Sequence, residues 1–238
     1  MTWTVEGVQR VALVFAPAPA ALSIKHPLVF VFHGHGGNMQ AAAQGAHIQT
    51  LWPEAIVVYP QGLPTKSTID PQGLRPGWQV EAGQTGLNDR DLKFFDAMVA
   101  TVEQKFSVDD QRIYSTGFSN GALFSYLLWA ERSKVLAAFG ICAGMIWPSE
   151  HLTEPRAVAV VGGTADPVLP FSLQQQSIDA ARQVDNASGA GQPCGPGCTR
   201  YPSTSQTPVV TRIHPGGHIY PPWAPLFFVE FFKLHKHP

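Results

Sequence analysis

Residues 112–130 read RIYSTGFSNGALFSYLLWA. The first five favour a β-strand, the last nine favour a helix, and Gly117-Phe118-Ser119-Asn120-Gly121 lies between them. A strand that reverses into a helix over so few residues makes a very tight turn. A Cβ at either flanking position would clash, so glycine is required on both sides of Ser119. The central residue is forced into a strained conformation that lifts its side chain clear of the sheet. The helix that follows aims its N-terminal N–H groups at the raised hydroxyl, where they can hold a developing negative charge. This local pattern makes Ser119 a candidate nucleophile.

Outward from the turn, short apolar runs recur at residues 11–15, 28–32, 55–59, 112–116, 137–142, 157–161 and 209–213. Several are apolar at nearly every position, as strands buried on both faces must be. Helical patterns intervene at 91–106, 120–131, 171–184 and 222–236, the last with proline near its first turn. Alternating strands and helices predict a single α/β domain over residues 1–238, with a mostly parallel sheet covered by helices on both faces. Ligands of such sheets bind at the carboxyl ends of the strands. Two segments break the alternation: 61–88, rich in Gly and Pro, and 186–208, rich in Gly, Ser and Pro. Loops of this length are often functional. Between the strands at 137–142 and 157–161 lie only about a dozen residues, too few for a helical lid, so an open site is expected. Asp89 and Asp91 stand where carboxylates would cap a helix N-terminus.

A serine hydroxyl needs a base, and the base needs an orienting acid. In a sheet of this kind the chain order is Ser, then Asp or Glu, then His. RAVAVVGGTADPVLPF places Asp166 in a turn just beyond a strand, whereas Asp179 and Asp185 lie in or beside a helix. PVVTRIHPGGHIYPPW offers His214 at the strand end and His218 in the loop beyond two glycines, the better position to reach across. Asp166 and His218 are therefore the candidate acid and base.

VFHGHGG, residues 31–37, follows another strand. A metal site at His33 and His35 would need further ligands, and so would one at His214 and His218. A phosphate loop would need the lysine and Ser/Thr that are missing here. The place after this strand suits a backbone N–H donor to an oxyanion.

The 238 residues are 45% hydrophobic and 14% charged, with a formal net charge of −1. No basic run suggests nucleic acid or an anionic membrane surface as partner. No apolar run approaches the roughly 18 residues of a membrane span. The start, MTWTVEGVQRVALVFAPAPA, has an APA cleavage-like motif. Its apolar run is short and Glu6 sits where a signal peptide wants positive charge, so a first β-strand is expected and no signal peptide in this chain. Cys142 reads as a buried thiol. Cys194 and Cys198, in CGPGC, are either free loop thiols or a small disulfide loop. The latter would indicate an oxidising compartment, and so a secreted or periplasmic protein. Trp78, Trp147, Tyr220 and Trp223 fall in segments near the strand ends. They are candidates for the walls of a substrate site, Trp78 and Tyr220 foremost.

Taken together, HGHGG, GFSNGALFSY, GGTADPVLPF and GGHIYPP resemble the polyhydroxybutyrate depolymerase and feruloyl esterase family of α/β-hydrolases, from about residue 11 onward. The resemblance implies a cofactor-free serine carboxylester hydrolase with no metal. Ser119, Asp166 and His218 would form its triad, and an acyl-serine would be its intermediate. It also implies that the N–H groups of His35 and Asn120 form the oxyanion hole, with the His35 side chain contributing little. Many members carry cysteine at the place of His35 and tryptophan at the place of Tyr220. The second departure argues against polyester, while the open cleft and the aromatics near the strand ends suit bulky, aromatic or sugar-linked esters, of the feruloyl or acetyl type. A polyester depolymerase or a peptidase with the same triad are the alternative enzymes. A binding protein that has lost catalysis is the reading from a different class.

Overall fold

The computed structural model describes residues 1–17 and 24–237. Strands β1 (Thr2–Val5) and β2 (Val8–Phe15) form an antiparallel hairpin, so the strand expected at the start is present. Residues 18–20, which complete the cleavage-like motif, lie outside the described residues. In chain order there follow β3 (His26–Phe32), α1 (Met39–Ala46), α2 (Ile48–Leu51), β4 (Ile56–Pro60), the short β5 (Leu63–Pro64) and β6 (Pro76–Gly77), and α3 (Arg90–Lys105). The remainder is β7 (Val108–Phe118), α4 (Asn120–Arg132), β8 (Ala138–Cys142), β9 (Ala157–Gly163), α5 (Phe171–Val184), β10 (Gln192–Gly195), β11 (Cys198–Tyr201), β12 (Val209–His214) and α6 (Ala224–Lys233).

One ten-stranded sheet runs β1-β2-β4-β3-β7-β8-β9-β12-β11-β10. From β4 to β12 neighbouring strands are parallel, and β1, β2, β10 and β11 add antiparallel edges. Along β3 the side chains alternate between two cores. Leu28, Phe30 and Phe32 join the cluster that α3, α4 and α5 cover, while Val29 and Val31 face α1, α2 and α6. The strict two-residue period of a strand does this sorting, and full burial on both faces explains the unbroken apolar run.

All seven expected strands and all four expected helices are present. The 186–208 segment, expected to be loop, contains the β10–β11 hairpin at the sheet edge, closed by a Cys194–Cys198 disulfide. Residues 143–156 hold no helix or strand.

Candidate active site

The turn after β7 has the geometry its glycines imply. Ser119 has φ 54° and ψ −123°, a strained conformation for a residue with a side chain. A Cβ on Gly117 would lie 2.3 Å from the Gly121 carbonyl oxygen, and one on Gly121 would lie 2.2 Å from that of Phe32. Both obstacles are backbone, which cannot swing aside. The chain can therefore reverse here only because neither residue has a side chain, and α4 begins at Asn120, the residue after Ser119.

Asp166 and His218 reach Ser119 from two further strand ends. A Cβ on Gly163, the last residue of β9, would lie 2.4 Å and 2.5 Å from the carbonyls of Gly216 and Gly217. The paired glycines of GGTAD and HPGGH thus let the two loops touch, and Ala165 N–H donates to the Gly216 carbonyl at 3.1 Å. The result is one hydrogen-bonded chain. The Asp166 carboxylate accepts from His218 Nδ1–H at 2.7 Å, and His218 Nε2 accepts from the Ser119 hydroxyl at 2.8 Å. These roles follow because a carboxylate only accepts, which fixes the proton on Nδ1 and leaves the Nε2 lone pair facing the serine. Asp166, whose side chain is fully buried, also accepts the N–H groups of Val168 and Leu169 at 2.8 and 2.9 Å and Gln174 Nε2–H at 3.1 Å. Of the other candidates, Asp185 accepts from Arg156 N–H at the far end of α5, and His214 Nδ1 accepts from Gly216 N–H.

Ser119 opens on a cleft of about 460 Å³, lined by Ile69, Val80, Leu123, Trp147, Val168 and Leu169 among others, with Lys66 at its side. Of the four aromatic wall candidates, Trp147 alone lines it. Trp78 is corrected: at 1% exposure it is a core residue. Its indole N–H donates to the His33 carbonyl, and its ring packs on Phe32 and Phe124. Tyr220 is corrected too. It lines a separate cavity of about 210 Å³ behind the turn, with Phe118 and the α1 alanines, and its buried hydroxyl has no hydrogen-bond partner among the described residues. Trp223 lies under the Arg212 guanidinium, 4.1 Å away.

Among the hydrogen bonds between described residues, none uses the N–H of His35 or of Asn120. The His35 side chain, however, is not idle: it is 4% exposed, and its Nε2–H donates to Asp70 at 3.1 Å. His33 is engaged at both nitrogens, with Nδ1–H on the Gly34 carbonyl and Nε2 accepting from Gly62 N–H. Burial holds its pKa below the usual histidine value. Among the described residues no three His, Cys, Asp or Glu gather as metal ligands would. Asp89 and Asp91 do not cap α3. Asp91 is buried against Arg10 at 2.7 Å and accepts Gln79 N–H, while Asp89 accepts from Gln79 Nε2–H and Gly83 N–H. Both carboxylates therefore tie down the 61–88 segment. Neither Gln174 nor this anchoring carries a sequence motif; a glutamine one turn into a helix after the acid loop was the only available signal.

The chain is similar to several known proteins. Feruloyl esterase D of Neurospora crassa is 30% identical over 235 residues, covering 92% of this chain and 77% of that protein. Probable feruloyl esterase C of Aspergillus oryzae is 30% identical over 152 residues, 61% of this chain and 51% of that protein. The chain thus spans about half the length of the first curated relatives it matches. Among solved structures, a Bacillus cereus carboxylesterase superposes with TM-score 0.68 at 15% identity, covering 94% of each chain. The acetyl xylan esterase from Aspergillus awamori superposes with TM-score 0.66 at 15% identity, covering 93% of each. At that identity the structures show the α/β-hydrolase fold alone. The sequence matches the description "Esterase PHB depolymerase" over residues 11–194, which includes Ser119 and Asp166. On that match and the Neurospora relative, the chain belongs to the Esterase PHB depolymerase family.

Proposed function

We propose that this chain is a serine carboxylester hydrolase acting on bulky, aromatic or sugar-linked esters. The observation that carries the proposal is the Asp166–His218–Ser119 hydrogen-bonded chain, 2.7 and 2.8 Å, opening on a largely apolar cleft. As Ser119 Oγ attacks the ester carbonyl carbon, His218 Nε2 takes the hydroxyl proton, and the imidazolium is held by the Asp166 carboxylate. The carbonyl oxygen becomes an anion that the N–H groups of His35 and Asn120 stabilise. His218 then protonates the leaving alcohol. Water, deprotonated by His218, attacks the acyl-serine, and the carboxylic acid leaves with Ser119 restored.

The relatives named feruloyl esterase favour an aromatic acyl group or a sugar-linked ester. Trp147 and the apolar residues around it suit a planar ring. With no helix between residues 143 and 156, the cleft is open enough for an ester on a large molecule. The Cys194–Cys198 disulfide supports an oxidising, extracytoplasmic setting.

A fluorophosphonate probe tests the chemistry: it should label Ser119, and Ser119→Ala should neither be labelled nor hydrolyse p-nitrophenyl acetate. A folded wild-type protein that resists the probe would refute the proposal. Methyl ferulate, acetylated xylan and polyhydroxybutyrate then test the substrate. Hydrolysis of polyhydroxybutyrate alone would favour the polyester reading.

A further inference from the structure

The 61–88 segment grips both residues assigned to the oxyanion, and it grips them by their side chains. The Asn120 carboxamide pairs with the backbone of Trp78 through two bonds. Its Oδ1 accepts Trp78 N–H at 2.7 Å, and its Nδ2–H donates to the Trp78 carbonyl at 3.0 Å. The His35 imidazole donates to Asp70 at 3.1 Å, and the next residue, Gly36, donates its N–H to the Pro76 carbonyl at 2.7 Å. Between these two grips sits Gly77. A Cβ there would lie 2.7 Å from His35 Nδ1 and 3.0 Å from Asn120 Oδ1.

The segment is itself fixed from below. Gln79 N–H and the Arg10 guanidinium both donate to the Asp91 carboxylate, at 2.9 and 2.7 Å, and Asp91 N–H donates back to Gln79 Oε1 at 3.0 Å. All three residues are buried. A rigid line of contacts thus runs from the core of the sheet, through residues 77–79, to the two loops beside Ser119.

We propose that Asn120 and His35, with Gly77 packed between them, are positioning residues whose side chains set the spacing of the two oxyanion amides. This rests on the esterase reading above. The physical need is clear for His35: its amide lies in a loop, outside any helix or strand, and an oxyanion donor works only when held close to its productive position. The Asn120 amide has the helix behind it. Its carboxamide adds the link that makes the helix start and the 34–37 loop move as one body.

Gly77→Ala is the discriminating variant. Gly77 does not have a left-handed φ, so alanine suits the backbone, and the atoms nearest the added methyl belong to His35 and Asn120. With p-nitrophenyl acetate, kcat should fall on the order of tenfold or more, with KM within about twofold. A trifluoromethyl ketone, which forms a tetrahedral oxyanion adduct on the serine, should bind more weakly by a similar factor. The melting temperature should stay within a few degrees. Asn120→Asp, which keeps size and Oδ1 but sets an oxygen against the Trp78 carbonyl, should behave alike and covers the case of a Gly77→Ala protein that does not fold. Unchanged kcat and ketone affinity in either folded variant would overturn the proposal, as would a loss confined to KM. A wild-type protein that neither cleaves the ester nor binds the ketone would overturn the esterase reading with it.

Discussion

Asp166 shows how much a single side chain depends on neighbours that no motif records. Its place as acid partner was expected because it follows a strand and precedes the histidine in the required order, and its carboxylate lies 2.7 Å from His218 Nδ1. What holds its carboxylate was not legible: two backbone N–H groups and the amide of Gln174, which lies eight residues on and is fully buried. Gln174→Leu should remove one hydrogen bond to a charged group while leaving the other two. Such a bond contributes about 1.5–3 kcal/mol to the folded state, so the melting temperature should fall by several degrees, and kcat/KM should drop roughly tenfold as the carboxylate loses its orientation. A change under twofold would show that the two N–H groups suffice. His35 carries a sharper lesson. The sequence suggested a residue used chiefly for its backbone, so that truncation would cost little compared with losing Ser119 or His218. Burial of the imidazole against Asp70 gives the side chain a part as well, and His35→Ala should lose about tenfold in kcat at unchanged KM, measured with the same ester. Trp78 was misassigned for a related reason: a tryptophan in a polar loop looks available, until the loop folds back and buries it.

The strand–turn–helix unit around Ser119 was the most legible element, because its constraint is steric and local. Gly121→Ala tests it directly. The new Cβ would meet the Phe32 carbonyl oxygen at 2.2 Å, and β3 cannot retreat from the centre of the sheet. Overpacking of this kind typically costs about 1–3 kcal/mol, and against fixed backbone the upper end is expected, seen as a lowered urea midpoint. The β10–β11 hairpin was illegible for the opposite reason. Its four-residue strands are exposed or half-buried and carry no apolar alternation; the hairpin is held by pairing to β12 and by the Cys194–Cys198 disulfide. A five-residue ring removes little unfolded-chain entropy, and the hairpin lies at the sheet edge. The double variant Cys194→Ser, Cys198→Ser should therefore lose at most about 2 kcal/mol, with ester hydrolysis within about twofold of wild type.

At the scale of the whole molecule, stability should depend on pH through Asp185. Burial pushes its pKa up to about 8, against the lowering effect of the hydrogen bonds from Arg156 N–H and Thr207 and of the Arg156 charge. An unfolded aspartate titrates near 3.9, so between about pH 4 and pH 8 the folded chain binds a proton that the unfolded chain does not. Stability then falls as pH rises through that window. Asp185→Asn removes the titration and keeps an oxygen for Arg156 N–H, so its gain in melting temperature over wild type should be larger at pH 8 than at pH 5. Equal gains at both would refute the assignment. The sequence by itself determined the order of seven strands and four helices, the two-faced burial of the sheet, and the three side chains, Ser119, Asp166 and His218, that the fold brings into one hydrogen-bonded chain. Hydrophobic period, glycine sterics and acid–base chemistry are all properties of residues and their near neighbours. Tertiary structure alone decided which aromatics line the cleft, what fixes Asp166, and that the 61–88 segment holds His35 and Asn120. Those contacts join residues far apart in the chain, and a side chain's burial or partner there depends on how loops without a repeating pattern fold back over the strand ends.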